Sequence, residues 1–513
     1  MQIPLIFLSS ALLLWLASPG PGLSWCAWFA LVPLLWGCAT VTPKKAARLG
    51  FMAGLCYYTL LIYWVVISLG TYGHLPWWLC GIALLLLCAY MALYLAVFCA
   101  ACSWSMKIMP PIWSAPFLWV TFDFIRGRLF SGFPWQDLGY TQFKTPLLIQ
   151  ASDLAGHHGI TFLIILANCL CLTLLAAWKK TPPWPQGKAL PHVLAAVLLL
   201  AASLGYSMFR YKEIVIDVQA APSSHTVTVI QANIEQDQKW LPEKQRDAVE
   251  TYINMTTQGV AGHPPDLVIW PETAMPFHPP ASPLFPEILA RTVFAGQYSL
   301  LAGAPYFQER AGDFDLYNSG VLVRPDGGQA LYFKQHLVPF GEYVPLSDIL
   351  PLPGPVVESV GNFKAGEKAE PLPDGKARLG ILICFESIFP DLARKEAANG
   401  ANMLVNMTND AWFGRSSASI QHLAMVVLRA VENRRSLARA ANTGISCFID
   451  PAGHISQETP IFTEYAITAS LKLLEDKTFF TRTGHLFPLL CLFTLIPLAI
   501  GLKKRASGMK DKK

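Results

Sequence analysis

The chain has 513 residues, of which 53% are hydrophobic and only 14% are charged. This composition is too apolar for an ordinary soluble protein. The formal net charge of +5 comes without a basic stripe of the kind that indicates nucleic-acid binding. The apolar residues are concentrated in 1–210 and 485–502, whereas 225–475 has the mixed composition of a soluble α/β domain. We therefore expect a membrane protein that carries one large extramembrane domain.

Apolar stretches long enough to predict spanning helices fill both ends of the chain, since a span needs about 20 apolar residues, or fewer inside a bundle. The eight stretches are 3–18, 24–40, 49–69, 76–102, 110–125, 159–178, 189–209 and 485–502. The first lacks a basic region before it and a second follows at once, which favours a retained helix over a signal peptide. We expect a transmembrane region of seven helices at 1–210, a C-terminal helix at 485–502 and a basic cytoplasmic tail at 503–513.

The distribution of Lys and Arg predicts the orientation. Basic residues lie between the second and third, the fourth and fifth, and the sixth and seventh stretches, and in the tail. Such residues mark the cytoplasmic side, so the domain at 225–475 is predicted on the opposite side of the membrane. Arg126 and Arg128 lie near Asp123 at the edge of a predicted span. They either form an interfacial ion pair or contact a lipid headgroup.

The domain at 225–475 alternates short apolar strands with helical stretches, which predicts a layered α/β domain. The predicted strands are 227–230, 266–270, 300–304, 319–323, 330–333, 379–383, 403–406 and 446–449, and the predicted helices are 386–398 and 418–440.

One of these strands ends at Cys384, directly before a predicted helix. A thiol at such a turn faces backbone N–H groups and the positive end of the helix dipole, and both favour the thiolate. Most single cysteines are instead small buried hydrophobes. A disulfide with Cys447 is a further alternative, because the other ten cysteines lie in the apolar segments or at their edges.

Two further strands end in charged residues, Glu272 and Lys334. Each is a weak signal alone, but together with Cys384 they place a carboxylate, an ammonium and a thiol at the ends of three apolar strands. A free thiol has a pKa of about 8.5, so it needs a base at neutral pH. The carboxylate can take that proton, and the ammonium and the N–H of Phe385 can stabilise the oxyanion that forms when the thiolate attacks a carbonyl.

This set of residues resembles the nitrilase, or carbon-nitrogen hydrolase, superfamily. With the flanking apolar helices, the motifs at 270–273 (Trp-Pro-Glu-Thr), 337–343 (Leu-Val-Pro-Phe-Gly-Glu-Tyr) and 409–414 (Asn-Asp-Ala-Trp-Phe-Gly) closely resemble the apolipoprotein N-acyltransferase family, and the match covers nearly the whole chain. The resemblance implies a bundle of about eight transmembrane helices and an α-β-β-α sandwich. It also implies that Glu272 is the general base, Lys334 the oxyanion stabiliser and Cys384 the acylated nucleophile.

The resemblance assigns further roles and a reaction. Glu342 and Glu386 are implied as supporting acids, Phe385 stands where the family pattern has Tyr, and substrate-binding roles are implied for Trp240, Trp412, Tyr343 and Asn409. No metal or cofactor is implied. The implied reaction is ping-pong: a phospholipid acylates the cysteine, and the N-terminal amine of a diacylglyceryl-apolipoprotein takes the acyl group.

Two other readings remain open. A membrane-anchored amidase or nitrilase-type hydrolase would use the same three residues with water as acceptor, although one helix would suffice as its anchor. A transporter or scaffold with an inactive domain is the other alternative. The apolar, proline-containing loops at 277–285 and 350–360 are further predicted to act as lids over a lipid entrance.

Overall fold

The computed structural model describes residues 2–179, 189–262, 264–310, 313–344 and 362–495. These residues divide into two compact units. The helical unit takes in the described residues of Met1–Tyr63, Trp78–Lys212 and Thr483–Lys513, and the sandwich unit those of Trp64–Trp77 and Glu213–Arg482.

The first 220 residues are mostly helical. The helices are α1 (Gln2–Ala17), α2 (Val32–Thr40), α3 (Pro43–Leu61), α4 (Val65–Ile67), α5 (Trp77–Ser105), α6 (Ala115–Arg126), α7 (Pro146–Ile149), α8 (Ser152–Trp178) and α9 (Ala189–Ala220). Short 3-10 turns at Ser24–Trp28 and Pro111–Trp113 precede α2 and α6. The helix α8 begins seven residues before the predicted 159 and is kinked at Gly156, which has a positive φ of 64°.

Three described helices, α5, α8 and α9, are long and apolar enough to cross a membrane, and a fourth span results if α3 and Val65–Tyr72 are counted together. The stretches predicted at 3–18, 24–40 and 110–125 form shorter helices, because turns interrupt two of them before α2 and α6. In the C-terminal stretch the described helix is Leu486–Leu495, and the remainder, with the tail at 503–513, lies outside the described residues. The expected eight spans therefore stay a prediction.

The sandwich unit contains two six-stranded sheets. The strands are β1 (Ser224–Gln231), β2 (Leu267–Ile269), β3 (Ser299–Arg310), β4 (Asp313–Val323), β5 (Gln329–Phe333), β6 (Leu372–Asp374), β7 (Ala377–Ile383), β8 (Met403–Thr408), β9 (Ser436–Ala441), β10 (Cys447–Ile449), β11 (Ile455–Ser456) and β12 (Tyr465–Lys472). The first sheet has the order β12-β1-β2-β3-β4-β5, and the second has the order β11-β10-β9-β8-β7-β6.

The two sheets pack face to face with helices on both outer faces. Val229 and Ile269 of the first sheet share a fully buried cluster with Ile381 and Val405 of the second. The helices of this unit after β1 are α10 (Gln236–Lys239), α11 (Pro242–Gly259), α12 (Leu284–Leu289), α13 (Pro390–Ala398), α14 (Ala418–Asn433) and α15 (Phe479–Thr483). Residues of α11 and α12 pack on the first sheet, and α13 packs on β7 and β8 beside α14. The α-β-β-α sandwich is thereby confirmed.

Two predicted helices of this domain have wrong boundaries. The helix predicted at 418–440 ends at Asn433, and 436–441 is the buried strand β9. The two cannot be separated by periodicity because every residue of β9 is buried. The turn between them depends on a tertiary contact: Arg434 has a left-handed backbone and donates through Nη1 to the carbonyl of Pro451 at 2.9 Å. The helix predicted at 386–398 begins only at Pro390, after a 3-10 turn.

The loop predicted as a lid at 277–285 does not form a surface flap. Phe277, Leu284 and Phe285 are buried in the cluster between the first sheet and α11. These three side chains are therefore part of the core, whereas Pro280, Ala281 and Pro283 are exposed. The second predicted lid, at 350–360, lies outside the described residues.

Candidate active site

Cys384 lies where β7 ends, at the first residue of the 3-10 turn Cys384–Ile388. Its φ of 51° is in the left-handed region, which costs a non-glycine residue on the order of 1 kcal/mol and persists only where the surroundings fix it. The residue keeps part of its surface exposed, and neither it nor the buried Cys447 forms a disulfide. The structure thus removes the disulfide alternative and places the thiol on a strained backbone.

Glu272 and Lys334, which follow β2 and β5, are in direct contact. The Lys334 ammonium donates to Oε1 of Glu272 at 3.3 Å and to Oε1 of Glu342 at 2.9 Å. The Lys334 side chain is only 1% exposed. A buried ammonium is stable here because two carboxylates face it.

The electrostatics of this cluster decide the protonation of its members. Burial disfavours the charge on Lys334, but Glu342 and Glu272 outweigh it and raise the pKa of the ammonium well above its usual range. Burial, followed by the charge of Glu272, raises the pKa of the Cys384 thiol far above neutrality, while Lys334 acts in the opposite direction. The expectation that the turn favours a thiolate is therefore wrong. The helix α13 begins six residues beyond the thiol, and the resting thiol needs a base.

Asn318, which the sequence analysis missed, ties the two carboxylates together. Its Nδ2 donates to Oε1 of Glu272 at 2.9 Å and to Oε1 of Glu342 at 2.7 Å. It lies in β4, one residue before the strand predicted from the sequence. The only sequence signal for Asn318 is that it is a polar residue next to a predicted buried strand. Its spacing from Glu272 and Glu342 follows no motif that would predict the contact.

Glu386 is fully buried and fastens the nucleophile turn to the residues beyond Lys334. It accepts hydrogen bonds from the backbone N–H of Ile383 at 2.7 Å and of Gln335 at 2.6 Å, and from the hydroxyl of Tyr332 at 3.0 Å. Burial raises its pKa to about 7 in spite of these donors. The Glu386 carboxylate therefore links the end of β7 to the residues that follow β5.

Phe385 directly follows Cys384 in the chain, and Tyr343 directly follows Glu342. The Phe385 ring packs against His336 and Phe389, with centroids 5.8 and 5.1 Å away. The carbonyl of Tyr343 accepts from the N–H of Phe340 at 2.7 Å, which closes the turn that carries Glu342. Glu342 is fixed further through Oε2, which accepts from the N–H of Val338 at 2.8 Å.

The predicted substrate-binding residues divide into two groups. The backbone N–H of Asn409 donates to Oε2 of Glu272 at 3.0 Å, and its side chain is committed to Gln236 at 2.5 Å. Asn409 is therefore placed to fix the base. Trp240 and Trp412 are only half-buried, and Trp240 Nε1 has no hydrogen-bond partner among the described residues. These two indoles are the ones that offer surface to a ligand.

A second buried network lies behind the nucleophile and was not predicted. His422 Nε2 lies 2.7 Å from the Ser387 hydroxyl and 3.2 Å from the carbonyl oxygen of Cys384, and its Nδ1 lies 3.1 Å from Asp410. Burial opposes ionisation of Asp410, but Arg439 and His422 hold its pKa at about 2. The network thus contacts the strained Cys384 backbone through the carbonyl oxygen of that residue.

Lys239 is a further buried cation next to the base. Its Nζ donates to the backbone carbonyl of Glu272 at 3.1 Å and to the hydroxyl of Thr273 at 2.6 Å. Burial lowers its pKa to about 7. The lysine anchors the turn that carries Glu272, and the sequence analysis missed it although it directly precedes Trp240.

One group of potential metal ligands exists among the described residues, and it lies in the helical unit. Ligand atoms of Asp137, His157 and His158 are all within 4.8 Å of one another. The guanidinium of Arg126 contacts the Asp137 carboxylate, so a positive charge already neutralises this group. The arrangement fits an ion pair better than a cation site.

The same contact decides between the two alternatives for Arg126, an ion pair and a contact with a lipid headgroup. Arg126 is 2% exposed and pairs with both Asp123 and Asp137, so it belongs to a buried ion cluster. The guanidinium of Arg128 lies 4.0 Å from the centre of the Phe124 ring.

Comparisons with known proteins agree with this architecture. The family model for the apolipoprotein N-acyltransferase N-terminal domain matches residues 10–170, and the carbon-nitrogen hydrolase model matches 226–475. The apolipoprotein N-acyltransferase of Geobacter metallireducens is 40% identical over 94% of this chain and 92% of its own length. That of Haemophilus ducreyi is 30% identical over 94% and 93%.

Among solved structures, a carbon-nitrogen hydrolase from Helicobacter pylori G27 aligns with 48% of this chain and 89% of its own, at 17% identity and a TM-score of 0.37. The two family-model matches and the relatives that align over almost the whole chain decide the assignment. The chain belongs to the apolipoprotein N-acyltransferase family of the nitrilase superfamily and is an acyltransferase.

Proposed function

We propose that the enzyme transfers a fatty acyl chain from a membrane phospholipid, through a thioester on Cys384, to the N-terminal amine of a diacylglyceryl-cysteine apolipoprotein. Family membership supports the class of reaction, since the relatives are named as apolipoprotein N-acyltransferases. The observation that best supports the mechanism is the contact between Lys334 and Glu272, because the charges of both residues act on the Cys384 thiol.

In the first half-reaction Glu272 takes the proton of Cys384 and the sulfur attacks the ester carbonyl of the donor. The S–C bond forms and the ester C–O bond breaks. Glu272 returns the proton to the departing alkoxide, which leaves as a lysophospholipid. The raised pKa of the thiol makes this base necessary at neutral pH.

The tetrahedral intermediate carries a negative charge on the former carbonyl oxygen. Lys334 stays charged because its pKa is raised by Glu342 and Glu272, and it is the proposed electrostatic partner of that oxygen. The backbone N–H of Phe385, directly after the nucleophile, is the proposed second donor. Donors fixed in advance in a buried site stabilise such a charge more than water does.

In the second half-reaction the α-amine of the acceptor attacks the thioester. The N–C bond forms and the C–S bond breaks, and Glu272 carries the amine proton back to the sulfur. The half-buried indoles of Trp240 and Trp412 are the proposed contacts for the lipid chains, because they offer apolar surface. The proposed mechanism needs no metal and no cofactor.

We further propose that the sandwich unit lies on the periplasmic side of a bacterial inner membrane and that the C-terminus is cytoplasmic. The distribution of Lys and Arg supports this orientation. Additional support comes from the segment Trp64–Trp77, which contains no Lys or Arg and belongs to the sandwich unit.

The test is intact-protein mass spectrometry of the full chain in micelles that contain bacterial phospholipid extract. We expect an added acyl mass on the wild type and on Cys447→Ala, the control for a buried cysteine of the same unit, and none on Cys384→Ala. A synthetic diacylglyceryl-cysteine peptide should then discharge the adduct. An adduct that only water discharges would favour the hydrolase, and the absence of any adduct would refute the thioester mechanism.

A further inference from the structure

The sandwich unit contains a segment from far outside its main sequence range. Trp64–Trp77 belongs to it, whereas the remainder of the unit begins at Glu213. In the chain this segment joins α3 to α5, and its residues Val65–Tyr72 are helical. A part of the N-terminal half is therefore built into the unit that carries Cys384.

The segment packs on one particular feature, the 3-10 turn Asp410–Phe413. The hydroxyl of Ser68 donates to the carbonyl of Trp412 at 2.7 Å. The ring of Tyr72 lies 5.5 Å from that of Trp412, edge to face. A hydrogen bond and a ring contact thus hold the same residue.

Trp64 holds the other side of this turn. Its ring lies 4.8 Å from that of Phe413, edge to face, and its Nε1 donates to Oε1 of Gln421 at 3.1 Å in a buried contact. Gln421 is in α14 and directly precedes His422. Trp64 therefore links the turn to the helix behind the nucleophile.

The contact is close at Gly414, the residue that follows the turn. Gly414 has a φ of 56°, and a Cβ atom placed on it would lie 3.0 Å from Cγ2 of Ile67. A side chain here would be strained both by the backbone conformation and by the neighbouring segment. The segment therefore contacts each of the three residues from Trp412 to Gly414.

The opposite end of the same turn reaches the catalytic cluster. The N–H of Asn409 donates to Oε2 of Glu272 at 3.0 Å, and the carboxylate of Asp410 lies 3.1 Å from His422 Nδ1. Only two residues separate Asn409 from Trp412. A displacement of Trp412 is therefore transmitted to the donor that orients the base.

We propose that Ser68 and Trp64 are positioning residues of the active site, which hold the turn at Trp412 so that Asn409 orients Glu272. The reaction that they serve rests on the proposed function. They touch no reacting atom themselves. The N-terminal half of the chain thereby contributes directly to the geometry of the catalytic base, in addition to any role in the membrane.

The test compares Ser68→Ala with Thr71→Ala, which removes a hydroxyl from an exposed position of the same segment. Full-length proteins are assayed in phospholipid micelles for the rate of acyl-enzyme formation at saturating and limiting donor. We expect Ser68→Ala to lower the saturated rate about five-fold, the size of one lost hydrogen bond, with Thr71→Ala unchanged. Ser68→Thr, which keeps a hydroxyl, should restore most of the rate.

Two measurements do not depend on acyl transfer. Hydrogen exchange of the peptide that contains 409–414 should rise in Ser68→Ala and not in Thr71→Ala. Alkylation of Cys384 by iodoacetamide should also become faster in Ser68→Ala, because a looser turn exposes the thiol. If the wild type forms no acyl-enzyme, the proposed function fails, and these two measurements still decide the positioning role.

Trp64→Phe is the second variant, because it keeps a ring against Phe413 and removes the donor to Gln421. It should lower the saturated rate with an unchanged dependence on donor concentration. Equal rates and equal alkylation in Ser68→Ala, Trp64→Phe and Thr71→Ala would overturn the proposal, even if hydrogen exchange had risen, since the contact would then be structural only.

Discussion

Both units contain a buried cation that contacts two carboxylates, and a comparison of these two clusters shows what distinguishes a catalytic from a structural ion cluster. In the sandwich unit Lys334 contacts Glu272 and Glu342 with 1% of its side chain exposed. In the helical unit Arg126 contacts Asp123 and Asp137 with 2% exposed. The burial and the excess of negative charge are the same.

The clusters differ in what else the cation contacts. The Arg126 guanidinium also donates to the backbone carbonyls of Phe133, at 2.9 Å, and Trp135, at 3.4 Å. Its planar donors are used to fix a non-helical stretch of chain. The Lys334 ammonium makes two hydrogen bonds to carboxylates, and its charge also acts on the Cys384 thiol. A buried ion cluster alone does not mark an active site, and the adjoining nucleophile makes the difference.

The largest effect expected from this comparison is that of Lys334→Met. Removal of the ammonium takes away the proposed oxyanion partner, and we expect the rate of acyl-enzyme formation to fall about a thousand-fold. Single-turnover mass spectrometry measures this rate. Lys395→Met, which removes an exposed lysine of α13, is the control and should retain the wild-type rate. A decrease of less than ten-fold in Lys334→Met would indicate that the Lys334 cluster, like the Arg126 cluster, has a structural role only.

Glu272→Gln should distinguish the role of Glu272 as the general base from its effect on the pKa of the Cys384 thiol. We expect acyl-enzyme formation to fall about a hundred-fold, the usual contribution of a general base. Alkylation of Cys384 by iodoacetamide at pH 8 should instead become faster, since the Glu272 charge raises the thiol pKa. The wild-type alkylation rate should rise with pH throughout pH 7 to 9, and the profile of the variant should move to lower pH.

Glu370→Gln, at an exposed carboxylate of the same unit, is the control for Glu272→Gln and should change neither rate. Alkylation and acyl transfer that fall together in Glu272→Gln would contradict the assignment of Glu272 as the base, because the substitution would then have disturbed the thiol itself.

Arg126→Met should reduce stability instead of catalysis. Removal of the cation takes the guanidinium away from two buried carboxylates, those of Asp123 and Asp137, which costs about 3–5 kcal/mol of unfolding free energy. Thermal unfolding in detergent measures this loss, and the alkylation rate of Cys384 in the protein that remains folded should equal that of the wild type. Arg128→Met removes a contact with the Phe124 ring and should cost about 1 kcal/mol or less. Equal losses in the two variants would contradict the cluster's structural role.

The smallest effect is expected for Phe385→Tyr. The ring packs against His336 and Phe389, and the proposed role of this residue uses only its backbone N–H. We expect a rate within about two-fold of the wild type, which is less than about 0.5 kcal/mol in activation free energy. Phe385→Ala is the matched comparison, since it keeps the N–H and removes the ring. A large gain in Phe385→Tyr would show that a hydroxyl is needed here.

Much of the sandwich unit could be predicted from local patterns. Strands such as 379–383 and 403–406 are short apolar runs, and each of them lies within an observed strand, β7 and β8. The strand β9 was missed, because every residue of 436–441 is buried, which gives no alternation, and no Gly or Pro separates it from α14. The helical unit was harder to predict, since apolar length alone does not reveal the turns before α2 and α6.

The residue types of the candidate site, a Glu, a Lys and a Cys each following an apolar strand, could be read from the sequence by itself, and so could the division into an apolar N-terminal half and a mixed domain. Strand ends are local features, and parallel strands bring their ends to one edge of a sheet. The motifs around these residues also sufficed to suggest the family that the comparisons confirmed.

Only the tertiary structure decided which partners surround these residues. Asn318 meets Glu272 across 46 positions of chain, and Ser68 meets Trp412 across 344. The pKa of the Cys384 thiol is raised, whereas the sequence had led us to expect a lowered one, because the shift depends on burial and on the nearby charge of Glu272. Such quantities arise from long-range packing, for which local sequence periodicity carries no signal.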